Sequence, residues 1–140
     1  VHLPMAKIVI IDDEKDSLII LRTFLTRSGH EVFPLLRAER ALQEIEQVNP
    51  DLVITDIVMP GVMGGTLYDA IRKQLSPYLP VIVSSGTRLR VKGQNDPLLA
   101  YCPKPVDFDE LLATINRLLV RRRELLEQGT QNADEDLDLI

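Results

Sequence analysis

Pro50-Asp51-Leu52-Val53-Ile54-Thr55-Asp56-Ile57-Val58-Met59-Pro60 is the stretch whose reading decides the fold. Leu52, Val53 and Ile54 form a short apolar run rich in β-branched residues, bounded by two prolines. Such a run predicts a strand buried on both faces, as at the centre of a parallel sheet. A carboxylate, Asp56, stands at its end. In open α/β sheets ligands bind at the carboxyl ends of strands, and a carboxylate there is costly to bury unless a cation answers it. The alternative reading of Asp56 is a loop or helix-capping aspartate, so its partners must come from the rest of the chain.

Upstream, Lys7-Ile8-Val9-Ile10-Ile11 is a second continuous apolar run, and it ends in Asp12-Asp13-Glu14. Between Asp16 and Ser28, Leu18, Ile20, Leu21, Phe24 and Leu25 form a helical stripe, closed by Gly29 as a C′ residue. Glu31-Val32-Phe33-Pro34-Leu35 reads as a short strand that Pro34 assigns to the sheet edge. Ala41, Leu42, Ile45 and Val48 mark a second helix ending before Asn49-Pro50. Downstream, Gly61 to Gly65 is a loop and Thr66 to Gln74 a helix. Pro80-Val81-Ile82-Val83 is a buried strand ending at Ser84-Ser85-Gly86. Gly93 and Pro97 interrupt the stretch from Thr87 to Leu99, which predicts a short or irregular helix. Leu99 to Cys102 is a fifth strand leading into Pro103-Lys104-Pro105. Asp107 caps a last helix whose Leu111, Leu112, Ile115, Leu118 and Leu119 face the sheet. From residue 127 the chain turns polar and acidic, which predicts a disordered tail or linker over 127–140. Residues 1–5 read as an N-terminal extension and 6–126 as one domain.

Composition narrows the class. The chain has 140 residues, 45% hydrophobic and 26% charged, ordinary for a soluble globular domain. Its net charge of −5 argues against a nucleic-acid surface. The single cysteine, Cys102, fits a reducing, cytoplasmic compartment and reads as a packing residue. No apolar run is long enough to span a membrane. His2 and His30 lack metal spacing and read as surface residues.

Strands alternating with helices predict a parallel sheet with helices on both faces and right-handed crossovers. The carboxyl ends then bring together Asp12-Asp13, Asp56, Ser84-Ser85 and Lys104. Carboxylates sharing one pocket repel each other and call for a divalent cation. All-oxygen ligation selects a hard ion, most simply Mg2+. One carboxylate can attack phosphorus to give an aspartyl phosphate. The charge on the transferred oxygens then needs the metal, an ammonium and a hydroxyl around it. Asp12 and Asp13 for the metal, Asp56 for attack, Lys104 for phosphoryl charge and Ser85 for a phosphoryl oxygen form such a set.

Four segments carry a resemblance to a known family: Ile8 to Glu14 (IVIIDDE), Asp51 to Gly61 (DLVITDIVMPG), Pro80 to Gly86 (PVIVSSG) and Tyr101 to Pro105 (YCPKP). Over roughly Ala6 to Leu126 the chain resembles the receiver domain of two-component response regulators. The resemblance implies a flavodoxin-like (βα)5 fold with five parallel strands in the order 2-1-3-4-5. It implies Asp56 as phospho-acceptor, Asp12, Asp13, Asp56 and the Val58 carbonyl as Mg2+ ligands, and Ser85 as the switch hydroxyl. It further implies Lys104 before a cis proline and Tyr101 as the aromatic coupled to the switch, against the plainer reading of an edge-strand tyrosine in water. Ser85 is preferred to Ser84 because it stands five residues after Pro80 and is followed by the small Gly86.

The implied partner is a histidine kinase or histidine phosphotransfer protein, with an output domain or target that the sequence does not identify; a homodimer is a further candidate assembly. The implied role is a signalling switch, not an enzyme with a separate substrate. Two departures stand out. Ser85 and Lys104 are closer in sequence than the family usually shows, and Met63 stands where an acidic residue is common. Apolar Val58 cannot position an attacking water, which predicts slow self-dephosphorylation. Three other classes compete with this one. A haloacid-dehalogenase-type phosphatase would want an aspartate at Val58, and a nucleotide-binding domain a glycine-rich loop at Asp12-Asp13-Glu14. The third is a receiver-like interaction domain that works without phosphorylation.

Overall fold

A computed structural model of the chain describes residues 5–56, 58–59, 62–86 and 95–138. Its elements run β1 (Lys7–Ile11), α1 (Lys15–Arg27), β2 (Glu31–Leu35), a 3-10 turn (Ala38–Arg40), α2 (Ala41–Val48) and β3 (Leu52–Thr55). A two-stranded hairpin of β4 (Val58–Met59) and β5 (Val62–Met63) leads into α3 (Gly64–Ala70), which continues as a π-helical turn (Ile71–Leu75). β6 (Val81–Ser85), β7 (Leu99–Pro103) and α4 (Phe108–Asp138) complete the chain. The five main strands are parallel, in the order β2-β1-β3-β6-β7. This is the expected 2-1-3-4-5 sheet. Pro34 lies in β2, an edge strand, where a missing N–H costs no ladder bond.

Alternation along each strand sorts the core into two layers. Val9, Ile11, Val53, Val81 and Val83 pack under α2 and α3 with Ala41, Ile45, Leu67 and Ile71. Ile8, Ile10, Leu52, Ile54 and Ile82 pack under α1 and α4 with Leu18, Leu25, Leu111, Ile115 and Leu118. Each layer is closed by side chains that lose about 2–5 kcal/mol when cut back to alanine. Within α1, Ile20 leaves the expected stripe and is 57% exposed. At 100° per residue it points well away from Leu18 and Leu25, which define the buried face.

Helix ends follow local chemistry. The Gly29 N–H reaches the Thr26 carbonyl and the His30 N–H reaches that of Leu25, with Gly29 at φ +96°. That is the Schellman arrangement, and it needs a residue free of a Cβ at this point. The turn carries His30 into the interior, contrary to the surface position expected for it. Its Nδ1 accepts the Ala6 N–H at 3.2 Å, and burial lowers its pKa below the ordinary value.

The far end of the chain also departs from expectation. α4 runs unbroken to Asp138, across the boundary at residue 127 and through the residues read as a disordered tail. Extending a formed helix is cheap once its nucleus exists, and Glu, Gln and Ala propagate it well. Arg122, past the sheet, bonds the Asp51 carboxylate at 3.2 Å, and a Cβ on Gly129 would lie 3.8 Å from the Tyr78 hydroxyl. The expected short fourth helix falls largely on residues 87–94, outside the described residues; residues 95–98 form a turn.

Candidate phospho-acceptor site

Register places the site. Ile11 pairs with Thr55, Thr55 with Val83, and Val83 with Tyr101. Asp12 and Asp56 therefore each stand one residue past a paired position on adjacent strands. The Asp12 N–H donates to the Leu35 carbonyl at 3.2 Å, the Asp56 N–H to Ile11 at 3.1 Å and the Lys104 N–H to Ser85 at 3.0 Å. Three functional side chains are thus held by backbone bonds to the strand next door. The Lys104–Pro105 bond is cis, as the resemblance implied.

Lys104 Nζ donates to Asp12 Oδ2 at 2.8 Å and to Asp56 Oδ2 at 2.7 Å. Burial alone would lower the ammonium pKa. Hydrogen bonds to Asp12 and Asp56, together with their charge, outweigh it and hold Lys104 above the ordinary lysine value. Asp12 Oδ1 accepts the Glu14 N–H at 2.9 Å, which fixes the carboxylate at the start of α1. Asp12 and Asp56 are buried, whereas Asp13 is exposed at the rim. Each of the three offers a carboxylate oxygen, and these oxygens lie within 4.8 Å of one another. Three carboxylates against one ammonium leave an excess of negative charge, and an all-oxygen donor set of this kind suits a hard divalent ion.

Ser85 ends β6 and is 1% exposed; its carbonyl accepts the Lys104 N–H and, at 3.4 Å, the Tyr101 hydroxyl. Tyr101 is itself 41% exposed, so its ring lies at the surface beside the strand that carries Ser85. Val58 opens β4, two residues past Asp56, and pairs with Met63. Thr87, Pro60 and Gly61 lie outside the described residues. Ser84, which the sequence ranks behind Ser85, also belongs to the site. It lines a cavity with Asp12, Asp56 and Lys104, and its buried Oγ has no hydrogen-bond partner among the described residues. The signal was there, since Ser84 occupies an inward position where alternation calls for an aliphatic residue.

The response regulator receiver domain family matches residues 8–116, and the chain belongs to that family. One curated relative, the DNA-binding transcriptional regulator NtrC of Bradyrhizobium sp. (strain RP501 Parasponia), is 31% identical over 96% of this chain but only 28% of its own length. Protein PilH of Pseudomonas aeruginosa is 32% identical, covering 82% of this chain and 98% of PilH. Among solved structures, NtrX from Brucella abortus superposes with a TM-score of 0.80 at 30% identity, over 90% of this chain and 29% of that one. The chain thus spans less than a third of the NtrC relative and nearly all of PilH. Among the described residues no helix is long and apolar enough to cross a membrane.

Proposed function

We propose that the chain is a cytoplasmic phospho-acceptor switch in which Asp56 takes a phosphoryl group from a phosphohistidine on a kinase or phosphotransfer protein. A carboxylate oxygen of Asp56 forms the new bond to phosphorus as the bond to the donor imidazole breaks, and the imidazole keeps the electron pair and is reprotonated by solvent. The observation that carries this reading is Lys104, bonded at once to Asp12 and Asp56. A cation already seated at the nucleophile can follow the charge of about −1.5 to −2 that a phosphoryl group adds.

Asp12, Asp13, Asp56 and the Val58 carbonyl would hold Mg2+, which when bound neutralises charge on the phosphoryl oxygens. The chain's own groups orient the acceptor and settle the product. The Asp12–Glu14 bond holds the acid edge, Lys104 draws toward the new charge, and the Ser85 hydroxyl supplies a donor. Movement of Ser85 would then be felt at Tyr101, whose hydroxyl rests on the Ser85 carbonyl. The result is a population shift at the surface around β7, limited by how much more strongly the phosphoryl group binds one arrangement than the other. No substrate other than the donor is turned over. Output passes through a domain or target that recognises that surface. Valine at residue 58 carries no polar group to align an attacking water, so the adduct decays slowly.

Acetyl phosphate or beryllofluoride with Mg2+ tests the reading by intact-mass and peptide analysis. One adduct is expected on Asp56 and none on Asp56→Asn. No adduct on the wild-type chain, or an equal adduct on the variant, ends it.

A further inference from the structure

We propose that His30 is an acid-operated latch: neutral, it holds the start of β1 against the turn between α1 and β2, and protonated, it lets that end of the strand go. The latch is a single bond. His30 Nδ1 accepts the Ala6 N–H at 3.2 Å, and an imidazolium, with a proton on both nitrogens, accepts nothing. Ala6 is 3% exposed and His30 5%, so water does not replace the lost acceptor in place. A buried N–H stripped of its acceptor carries the full cost of an unmade bond. The carbonyl of Ala6 is held differently, for it accepts the Glu31 N–H at 3.0 Å whatever the charge on the imidazole. Release is therefore confined to the entry of β1 and leaves the ladder from Lys7 to Ile11 paired with β2.

The ring also has a second place to go. With Nδ1 as acceptor, the neutral imidazole carries its proton on Nε2, which is buried without a hydrogen-bond partner among the described residues. A second proton would add a buried charge that nothing there answers. Beside the ring lies a cavity of about 380 Å³, lined by Met5, Arg22, Thr26, Glu31 and Val32 together with His30. An imidazolium turned into that cavity meets the Glu31 carboxylate and the Thr26 hydroxyl, both acceptors, so protonation moves the side chain from one position to the other. Burial lowers the pKa of His30 below its ordinary value, and the charges nearby do not reverse this. They are Arg22 from α1, Glu31 from β2 and, next to Ala6 in β1, Lys7, which pairs in register with Glu31. Two cations against one carboxylate do not favour a third positive charge. The stability that the latch contributes is thus complete above 6.5 and lost as pH falls through the lower folded value.

Imidazole and amide NMR of the unphosphorylated chain, from about pH 7.5 down to about pH 4.5, tests the latch across the range in which histidine titrates. His2 is the only other histidine, so the His30 signals are assigned by their loss in a variant. The wild-type ring is expected as the Nε2–H tautomer at neutral pH, with a protonation midpoint below 6.5. Protection of the Ala6 amide against hydrogen exchange should fall about tenfold for each pH unit below that midpoint, as the neutral fraction falls. His30→Gln, whose side-chain carbonyl accepts without titrating, should keep Ala6 protected throughout. His30→Leu, which accepts nothing, should leave it open at every pH. Glu31→Gln should lower the midpoint further, because the released imidazolium loses its carboxylate. An Nδ1–H tautomer, a midpoint at or above 6.5, Ala6 protection unmoved through the midpoint, the same acid loss in His30→Gln or a midpoint unmoved by Glu31→Gln overturns the proposal. Tautomer, midpoint and Ala6 protection are read on the wild-type chain, so they decide even where a variant does not fold. No phosphodonor is present, and neither result bears on the Asp56 adduct.

Discussion

Asp56 and Asp96 sit at opposite ends of one sheet, each against a cation, but Asp56 shares its cation with a second carboxylate. Asp96 precedes β7, and both its oxygens are spoken for. Oδ2 accepts the Tyr68 hydroxyl at 2.6 Å and Arg72 Nε at 2.7 Å, while Oδ1 accepts the Leu98 N–H at 2.9 Å. Arg72 spends the rest of its fork on the carbonyls of Leu79, Ser76 and Leu98, and its Cζ lies 5.0 Å from the Tyr68 ring centroid. One carboxylate meets one guanidinium, and the account closes. At the other end one ammonium is divided between Asp12 and Asp56, with Asp13 within ligand distance of both. Saturation belongs to a staple that ties α3 to the entries of β6 and β7. Three carboxylates around one ammonium, among the described residues, make a donor set suited to a further cation. The same residue type thus serves stability or chemistry according to how its valences are filled.

The largest effect should come from breaking the closed end. Asp96→Ala leaves the Arg72 guanidinium largely buried without its carboxylate, and removal of one partner of such a pair costs about 3–5 kcal/mol. Urea denaturation should show that loss, while the fraction that stays folded still accepts phosphate on Asp56. A loss under about 1 kcal/mol would mean that the staple is ornamental. Tyr68→Phe is the milder cut, removing one hydrogen bond to a charged group at about 2 kcal/mol. It also has a pH signature. Burial, then the bond to Asp96 and its charge, push the Tyr68 hydroxyl up to about 12. A raised folded pKa gives stability that is complete below about 10 and lost as pH climbs toward 12. Lys104 is raised as well, so its contribution also fades at high pH. Tyr68→Phe should therefore flatten part of the alkaline fall in melting temperature, and addition of Lys104→Met should flatten more of it.

How much of this contrast could be read from the chain is itself uneven. The acid end was legible because strand ends are marked by abrupt changes, from Ile11 to Asp12 and from Thr55 to Asp56, and parallel order then forces neighbours together. The edge position of β2 was legible from Pro34 alone. The staple was not. Tyr68 and Arg72 stand four residues apart, but Asp96 lies 24 residues beyond Arg72, in the stretch whose helical pattern Gly93 and Pro97 break. His30 was misplaced because its burial depends on the Schellman turn and on the Ala6 N–H, neither visible in hydrophobic periodicity. The run of α4 through 127–138 was missed for a related reason: polar composition argues against a core, but a helix that is already nucleated needs little core to continue.

The smallest effects should come from the open end, and they sharpen the contrast most. Mg2+ at ten times its dissociation constant should stabilise the chain by about 1.4 kcal/mol, simply because the folded state binds it and the unfolded state does not. The Asp96 staple has no free valence with which to respond. Asp13→Asn separates the two ends further. Asp13 is exposed and removes no bond to Lys104 when neutralised, so stability without metal should stay within about 0.5 kcal/mol of the parent, on the side of a gain as like charges are thinned. The Mg2+ increment, however, should shrink or vanish, because one of the three carboxylate donors has lost its charge. Paired thermal melts with Mg2+ and with EDTA read both quantities in one experiment. If Asp13→Asn keeps the full Mg2+ increment, the surplus charge at the carboxyl end of the sheet is not what holds the ion, and the distinction between an aspartate with a cation to itself and one that shares its cation loses its functional meaning.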